Sequence, residues 1–125
     1  MKLQPTNPPR TFEVGRRPVT ISDSGTLELD PDEQITLTTP DGGEYDVARK
    51  SFGFYATPSL NDRLPRFGLR PALVRNADAS YYLLLVESSR MDEFEAYCGE
   101  EAQELVGWLD DEATLERIAN AAAAV

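Results

Sequence analysis

The sequence predicts an α+β protein: a small, mainly antiparallel β-sandwich or barrel of six to eight short strands, followed by C-terminal helices. Three observations predict it. Short apolar–polar alternations recur from Thr11 to Val47, and turn residues such as Gly, Pro and Asp separate these strand-like stretches at spacings of about 8 to 10 residues. Past Ser89 the apolar spacing becomes that of a helix. With 125 residues, 41% of them hydrophobic, the chain can enclose one core, so one domain is predicted over residues 11–125, its β part at 11–87 and its helical part at 89–123.

Residues 1–10 hold Pro5, Pro8 and Pro9 and no apolar periodicity, and are predicted to be a flexible N-terminal arm. Strand-like pairs follow from Thr11: Phe12 and Val14, Val19 and Ile21, Leu27 and Leu29, Ile35 and Leu37, Tyr45 and Val47. Between them, Gly15, Asp23-Ser-Gly25, Asp30-Pro-Asp32 and Pro40-Asp-Gly-Gly43 supply the fixed or positive φ that tight turns need. Ser51 to Ala56 is a further strand, rich in aromatic residues. Thr57-Pro58 is placed to start one short helical turn around Leu60 and Leu64. Ala72 to Arg75 and Tyr81 to Glu87 close the β part. The run Tyr81-Tyr-Leu-Leu-Leu-Val86 is apolar at every position and is predicted to be a central strand.

Ser89 with Asp92 resembles a capping box, and Met91, Phe94, Cys98, Ala102, Leu105 and Leu109 recur at helical spacing, with Gly99 a point of division. Phe94, Leu105, Trp108 and Leu109 are expected to pack this helix on the sheet. Asp110-Asp111 is placed to cap a last helix with the stripe Leu115, Ile118, Ala119 and Ala122.

The absence of histidine from the whole chain removes the commonest general base, imidazole-dependent triads and most catalytic zinc or iron sites. Cys98 has no imidazole to activate it and falls on an inner helical stripe, so packing is expected of it. Asp30-Pro-Asp32-Glu33 lacks the glycine and distant glutamate of a calcium loop, and Pro40-Asp-Gly-Gly43 lacks phosphate-loop spacing. No cofactor and no metal is expected. A lone cysteine and an N-terminus without an apolar leader point to a cytoplasmic address, and no apolar run has the length of a membrane span.

The formal charge is −10, which disfavours nucleic acid and anionic lipid as partners. Its distribution is uneven: residues 1–48 carry −5, residues 49–75 carry +5, and residues 76–125 carry −10. The basic segment interleaves its cations with Phe52, Phe54, Tyr55 and Phe67. Guanidinium forks grip phosphate or carboxylate and aromatic faces cover a base or sugar, so an anionic, partly flat ligand fits this composition. The candidate ligand-binding residues are Arg49, Lys50, Tyr55, Asn61, Arg63 and Arg70. A second reading of the same residues pairs the arginines with the acidic C-terminal part and makes the aromatics core.

The strings Tyr45-Asp-Val-Ala-Arg-Lys50 and Phe52-Gly-Phe-Tyr-Ala-Thr-Pro-Ser-Leu-Asn61, with Arg63-Leu64, Gly68 and Ala72-Leu-Val-Arg-Asn76, resemble a family of small uncharacterised bacterial proteins. The likeness extends through Trp108-Leu-Asp110. It implies a role beside surface-polysaccharide or nucleotide-sugar enzymes and supplies no catalytic residue.

Two function classes follow. In the first, the chain is a non-catalytic binding or adaptor module that recognises an anionic sugar, a nucleotide-sugar or a partner protein. In the second it is a small cupin-like or isomerase-like enzyme using Tyr45, Tyr55 or Glu44 as proton carrier in a β cavity. The sequence sets no oligomeric state.

Overall fold

The computed structural model describes residues 1–124 and has an α+β fold, 47% strand, with antiparallel sheets that are not closed. The elements run β1 (Lys2–Val14), β2 (Val19–Glu28), β3 (Gln34–Thr38), β4 (Glu44–Lys50), β5 (Gly53–Ala56), α1 (Arg63–Arg66), β6 (Leu69–Arg75), β7 (Tyr81–Glu87), α2 (Met91–Glu101), β8 (Glu104–Trp108) and α3 (Glu112–Ala123). Three sheets have the orders β1-β2, β3-β4-β5 and β7-β6-β8. The chain traces two compact units, one made of Met1–Thr36 and Asp46–Thr57, the other of Leu37–Tyr45 and the chain from Pro58 onward.

In the first unit, β1 and β2 form a two-stranded ribbon. The segment expected to be a loose arm is strand: Lys2, Leu3, Gln4 and Pro5 pair with Glu28, Leu27, Thr26 and Gly25, and Arg10 to Val14 pair with Asp23 to Val19. The prolines fall at Pro5 and in the irregular stretch between Pro5 and Arg10, where a missing N–H interrupts no regular ladder. The expected turn at Asp23-Ser-Gly25 lies inside β2, so two predicted strands are one. Gly25 is required there, because a Cβ would sit 2.8 Å from the carbonyl oxygen of Gln4. Leu29 and Asp46 are the buried residues of this unit. The Asp46 carboxylate accepts from the Thr36 hydroxyl at 2.7 Å, and its carbonyl accepts from the Thr57 amide at 3.1 Å.

The second unit is built on β6. Ala72, Val74, Val86 and Phe94 form its buried cluster, with Leu84, Met91, Cys98 and Trp108 packed against it. Met91, Phe94 and Cys98 repeat at i, i+3 and i+7, so α2 lays one stripe on this face, each fully buried large side chain stabilising by about 1.5–3 kcal/mol. Leu64 of α1 and Pro71 of β6 are also fully buried. The turn Pro40-Asp-Gly-Gly43 forms as its composition predicts: Gly42 has φ of 94°, and the Thr39 amide and hydroxyl bond to both ends of Gly43.

Five local expectations are corrected here. The helix expected to run through Leu109 ends at Glu101: Ala102 adopts φ of 52°, and Glu104 to Trp108 form β8 against β6. Leu105 and Trp108 are therefore strand residues, because both edges of buried β6 demand a partner, and helical spacing alone does not register that demand. Gly99 stays within α2 and divides nothing. Ser89 makes no capping box, since its hydroxyl donates to Asp41 at 3.3 Å and a 3-10 turn, Ser88–Arg90, precedes α2. The turn near Leu64 is not capped by Thr57-Pro58: Asp62 precedes α1, and the Ser59 hydroxyl accepts from the Arg63 amide at 2.8 Å. Finally, Tyr81–Glu87 is an edge strand, with Tyr81, Tyr82 and Leu83 about half exposed, while β6 is central. The Asp111 cap of α3 forms as predicted, its carboxylate accepting from the Thr114 amide at 3.0 Å.

Candidate functional site

The six residues singled out in the basic segment divide between the units. Arg49, Lys50 and Tyr55 belong to the first, and Asn61, Arg63 and Arg70 to the second.

Arg49 lies on β4 and fastens the turn that follows β2. Its guanidinium donates to the Leu29 carbonyl at 2.8 Å, its amide donates to the Glu33 carbonyl at 2.9 Å, and its own carbonyl accepts from the Asp32 amide at 2.8 Å. The acidic turn Asp30-Pro-Asp-Glu33 is drawn together by cations of the same unit: the N-terminal amine reaches Glu33 at 2.8 Å and Asp30 at 3.2 Å, and Lys50 reaches Asp32 at 2.6 Å. The amine holds the Glu33 carboxyl below its ordinary range. These carboxylates are neutralised by nearby ammonium groups, and among the described residues no cluster of His, Cys, Asp or Glu is arranged to hold a metal.

Tyr55 follows Phe54 on β5, an edge strand paired only with β4 in its sheet. The register sets Phe54 opposite Arg49, Gly53 opposite Lys50 and Tyr55 opposite Ala48, so Phe54 and Tyr55 point to opposite faces. Phe52 sits in the turn at 82% exposure and Phe54 at 70%. Phe52, Phe54 and Tyr55 are thus on the surface, while Phe67 is half-buried. Composition could have found them: two aromatics flanking Gly53, in a strand too short to bury both faces.

In the second unit Arg70 makes the most elaborate contact. Its Nε and Nη2 donate to Asp110 Oδ2 at 2.8 Å and Oδ1 at 3.1 Å, a two-pronged pair. The guanidinium lies 4.0 Å over the Trp108 ring, which in turn meets Phe94 at 5.5 Å. The hydrogen bonds to Asp110 raise the Arg70 pKa further, so the charge is permanent. Arg63 lies over Phe67 at 5.3 Å, and Asn61 donates to Glu112 at the start of α3 at 2.7 Å. Arg75, outside the predicted set, reaches Glu104 at 2.8 Å and Tyr81 at 3.4 Å, joining the three strands of its sheet. Arg70 and Arg75 therefore pair with carboxylates of the acidic C-terminal part, whereas Arg66 pairs with Asp62 of its own segment at 3.2 Å.

The enzyme candidates do not share one compact unit: Glu44 and Tyr45 fall in the second and Tyr55 in the first. Tyr45 is half-buried, and burial pushes its phenol above the ordinary value, so it stays protonated at neutral pH. Glu44 and Tyr55 are exposed on different strands, and none of the sheets closes into a cavity.

Sequence reasoning missed one feature. A pocket of about 220 Å³ is lined by Val74, Tyr82, Leu83, Leu84, Tyr97 and Gln103 beside edge strand β7. The side-chain oxygen of Gln103 is buried with no hydrogen-bond partner. No sequence signal marks it, because Gln103 reaches that position only through the left-handed turn at Ala102.

Among the described residues no helix is long and apolar enough to cross a membrane. No family model matches the chain, and neither a curated protein nor a solved structure is significantly similar to it.

Proposed function

We propose that the protein is a non-catalytic binding module that docks an extended segment of a partner protein on the β4–β5 hairpin of its first unit. The observation that carries the reading is the exposure of Phe52, Phe54 and Tyr55, at 82%, 70% and 53%, on and beside an edge strand. An edge strand offers unpaired backbone donors and acceptors to an incoming strand, and alternate side chains give it specificity. Aromatic residues supply large contact area at small entropic cost. The assignment of Arg49, Lys50 and Arg70 to intramolecular partners argues for this reading over an anionic sugar or nucleotide-sugar, since a ligand would have to displace a bond already made.

Selection of a phage-displayed library of random peptides on the immobilised protein tests it. Enriched peptides are expected to be extended, with apolar residues at alternate positions, and to lose at least tenfold in affinity for the Phe52→Ser/Phe54→Ser variant while binding Arg70→Ala undiminished. Peptides indifferent to the aromatic change, or a raised melting temperature with nucleotide-sugars in a parallel screen, would overturn it.

A further inference from the structure

Strand β7 leaves a row of backbone groups without partners. The Asn76 amide donates to the Ser80 carbonyl at 2.9 Å and the Ser88 amide to the Gly68 carbonyl at 3.0 Å, at the two ends of the β6–β7 ladder. Hydrogen-bonded pairs alternate along an antiparallel ladder, so between those ends Tyr82, Leu84 and Val86 turn their amides and carbonyls toward β6. Tyr81, Leu83 and Leu85 turn theirs outward, where the sheet ends. Among the described residues no backbone hydrogen bond reaches these three from beyond β7. The edge is also unguarded. Its register with β6 is unbroken, and from Tyr81 to Val86 it holds no charge and no proline, the devices that keep edge strands from pairing. The opposite edge of the same sheet has such devices: β8 begins at Glu104, and its register with β6 shifts at Val106.

We infer that this edge is closed by β7 of a second copy of the chain, antiparallel to the first about a two-fold axis perpendicular to the sheet at Leu83. The free groups fix the register. With the axis there, Leu83 stands opposite its own counterpart, and Tyr81 of each copy stands opposite Leu85 of the other. All the outward residues then exchange hydrogen bonds, two for each pair. An axis one residue earlier would set Leu85 against Ala79, which lies in the turn with φ of 61°. One residue later would set Tyr81 beside Glu87, whose carboxylate the Thr39 hydroxyl and Arg90 already hold. The side chains match as well. On the face away from α2, Leu83 meets Leu83 and Tyr81 meets Leu85, and on the α2 face Tyr82 meets Leu84, aromatic beside aliphatic. Leu84 and Tyr97 line a groove of about 490 Å³ between β7 and α2, and the pairing places the second copy's Tyr82 beside Leu84 there. The run Tyr81-Tyr-Leu-Leu-Leu85 is thus complementary to itself, as an isologous contact requires. An unrelated strand would satisfy the backbone without carrying that order of tyrosine and leucine.

The area sets the strength. Tyr81, Tyr82 and Leu83 are 56%, 49% and 50% exposed, which leaves roughly 300 Å² of their surface uncovered. With the groove residues, the two copies bury about 600–800 Å² in all, short of the roughly 1,200 Å² at which standard interfaces begin. The dimer is therefore weak and forms with rising concentration. Each chain carries −10, so screening by salt strengthens the contact. It lies in the second unit and leaves the β4–β5 hairpin free for the partner proposed above.

Sedimentation equilibrium of the full chain, from low micromolar to near-millimolar concentration, reads the association. The wild type is expected to pass from monomer to dimer, and to do so at lower concentration when salt is raised. Leu83→Lys and Leu83→Asp should each weaken dimerisation at least tenfold, because the axis sets position 83 against itself and like charge against like. An equimolar mixture of these two variants should associate at least fivefold more tightly than either alone, the opposed charges then being unlike. Leu83→Pro removes an amide that β6 does not use and should also abolish the dimer. Val106→Lys on the opposite edge, and Phe52→Ser/Phe54→Ser on the β4–β5 hairpin, should leave it unchanged. Circular dichroism and Trp108 fluorescence matching the wild type establish that the variants fold. A wild type that stays monomeric throughout, a mixture no tighter than its components, or a dimer that survives Leu83→Lys would each overturn the inference. So would library peptides whose binding is lost in Leu83→Pro and is tighter than self-association, since β7 would then take a different protein in preference to a second copy.

Discussion

Removing the Arg70 guanidinium tests whether the basic segment serves the fold or a ligand, and its effect can be worked from the geometry. Arg70 is 33% exposed and Asp110 only 11%, and two hydrogen bonds of 2.8 and 3.1 Å join them. Breaking a buried pair from one side costs about 3–5 kcal/mol, because the remaining charge is left without a partner. Water already reaches a third of Arg70, so screening reduces that loss to roughly 1.5–2 kcal/mol. The guanidinium also covers Trp108 at 4.0 Å, and losing that contact adds about 0.5–1 kcal/mol. Arg70→Ala should therefore destabilise the second unit by about 2–3 kcal/mol. Asp110→Asn, which keeps an acceptor, should cost about half as much, and the double variant should fall short of the sum by about 1 kcal/mol or more. Urea titration measures all three, followed by circular dichroism and by fluorescence of Trp108, the protein's single tryptophan, which lies under the changed side chain. Arg70→Ala within about 0.5 kcal/mol of wild type, or strictly additive variants, would refute the structural role and leave the guanidinium available to a ligand.

Three further outcomes are expected. Gln103→Met should raise stability by about 1 kcal/mol, since it replaces a buried oxygen that has no partner with a side chain of similar length; a loss of stability on urea titration would show that the amide is satisfied by bound water or ligand. Cys98 should react with iodoacetamide at pH 7.5 at least tenfold more slowly than in the urea-unfolded chain, because burial and then Glu95 push its thiol above the ordinary value of 9.0, and equal rates would contradict its packing on the α2 stripe. Stability should be flat between about pH 5 and 8 in a chain without histidine, and should fall in acid below about pH 4. Asp41 is held below its ordinary 3.8 by hydrogen bonds from Arg90, and Asp111 by those from Thr114, so each stabilises above the unfolded value and loses that contribution as pH drops through the folded one. The N-terminal amine, raised from 8.0 by Glu33 and then Asp30, has the opposite sign and loses its contribution only above pH 8. A thermal-melt series with a step between pH 6 and 7 would contradict this assignment.

What the sequence determined by itself was whatever depends on neighbours in the chain. Turn chemistry placed the hairpin at Pro40-Asp-Gly-Gly43, because Gly42 needs its positive φ whatever surrounds it. Alternation at Tyr45 and Val47 marked β4, and a carboxylate three residues before Thr114 marked the start of α3. The charge of the segment from Arg49 to Arg75 was equally legible, but the partners of those charges were not. Arg49 bonds to a carbonyl 20 residues away and Arg70 to a carboxylate 40 residues away, and no local pattern encodes either distance.

Only the tertiary structure decided between periods that the same residues satisfy. Phe94, Cys98, Ala102, Leu105 and Leu109 keep helical spacing, yet the helix stops at Ala102, because β6 has a second edge whose backbone groups need the ladder that Glu104 to Trp108 supply. For the same reason Tyr81 to Val86, apolar throughout, lies at an edge: β6 takes the centre by pairing on both sides, and apolar content reports burial without reporting strand order. Prolines at positions 5, 8 and 9 read as an unpaired arm, yet β2 is long enough to pair on either side of an irregular stretch and keep Lys2 to Pro5 in register. In each case the deciding interaction joins segments distant in sequence, and its energy exists only once both are in place.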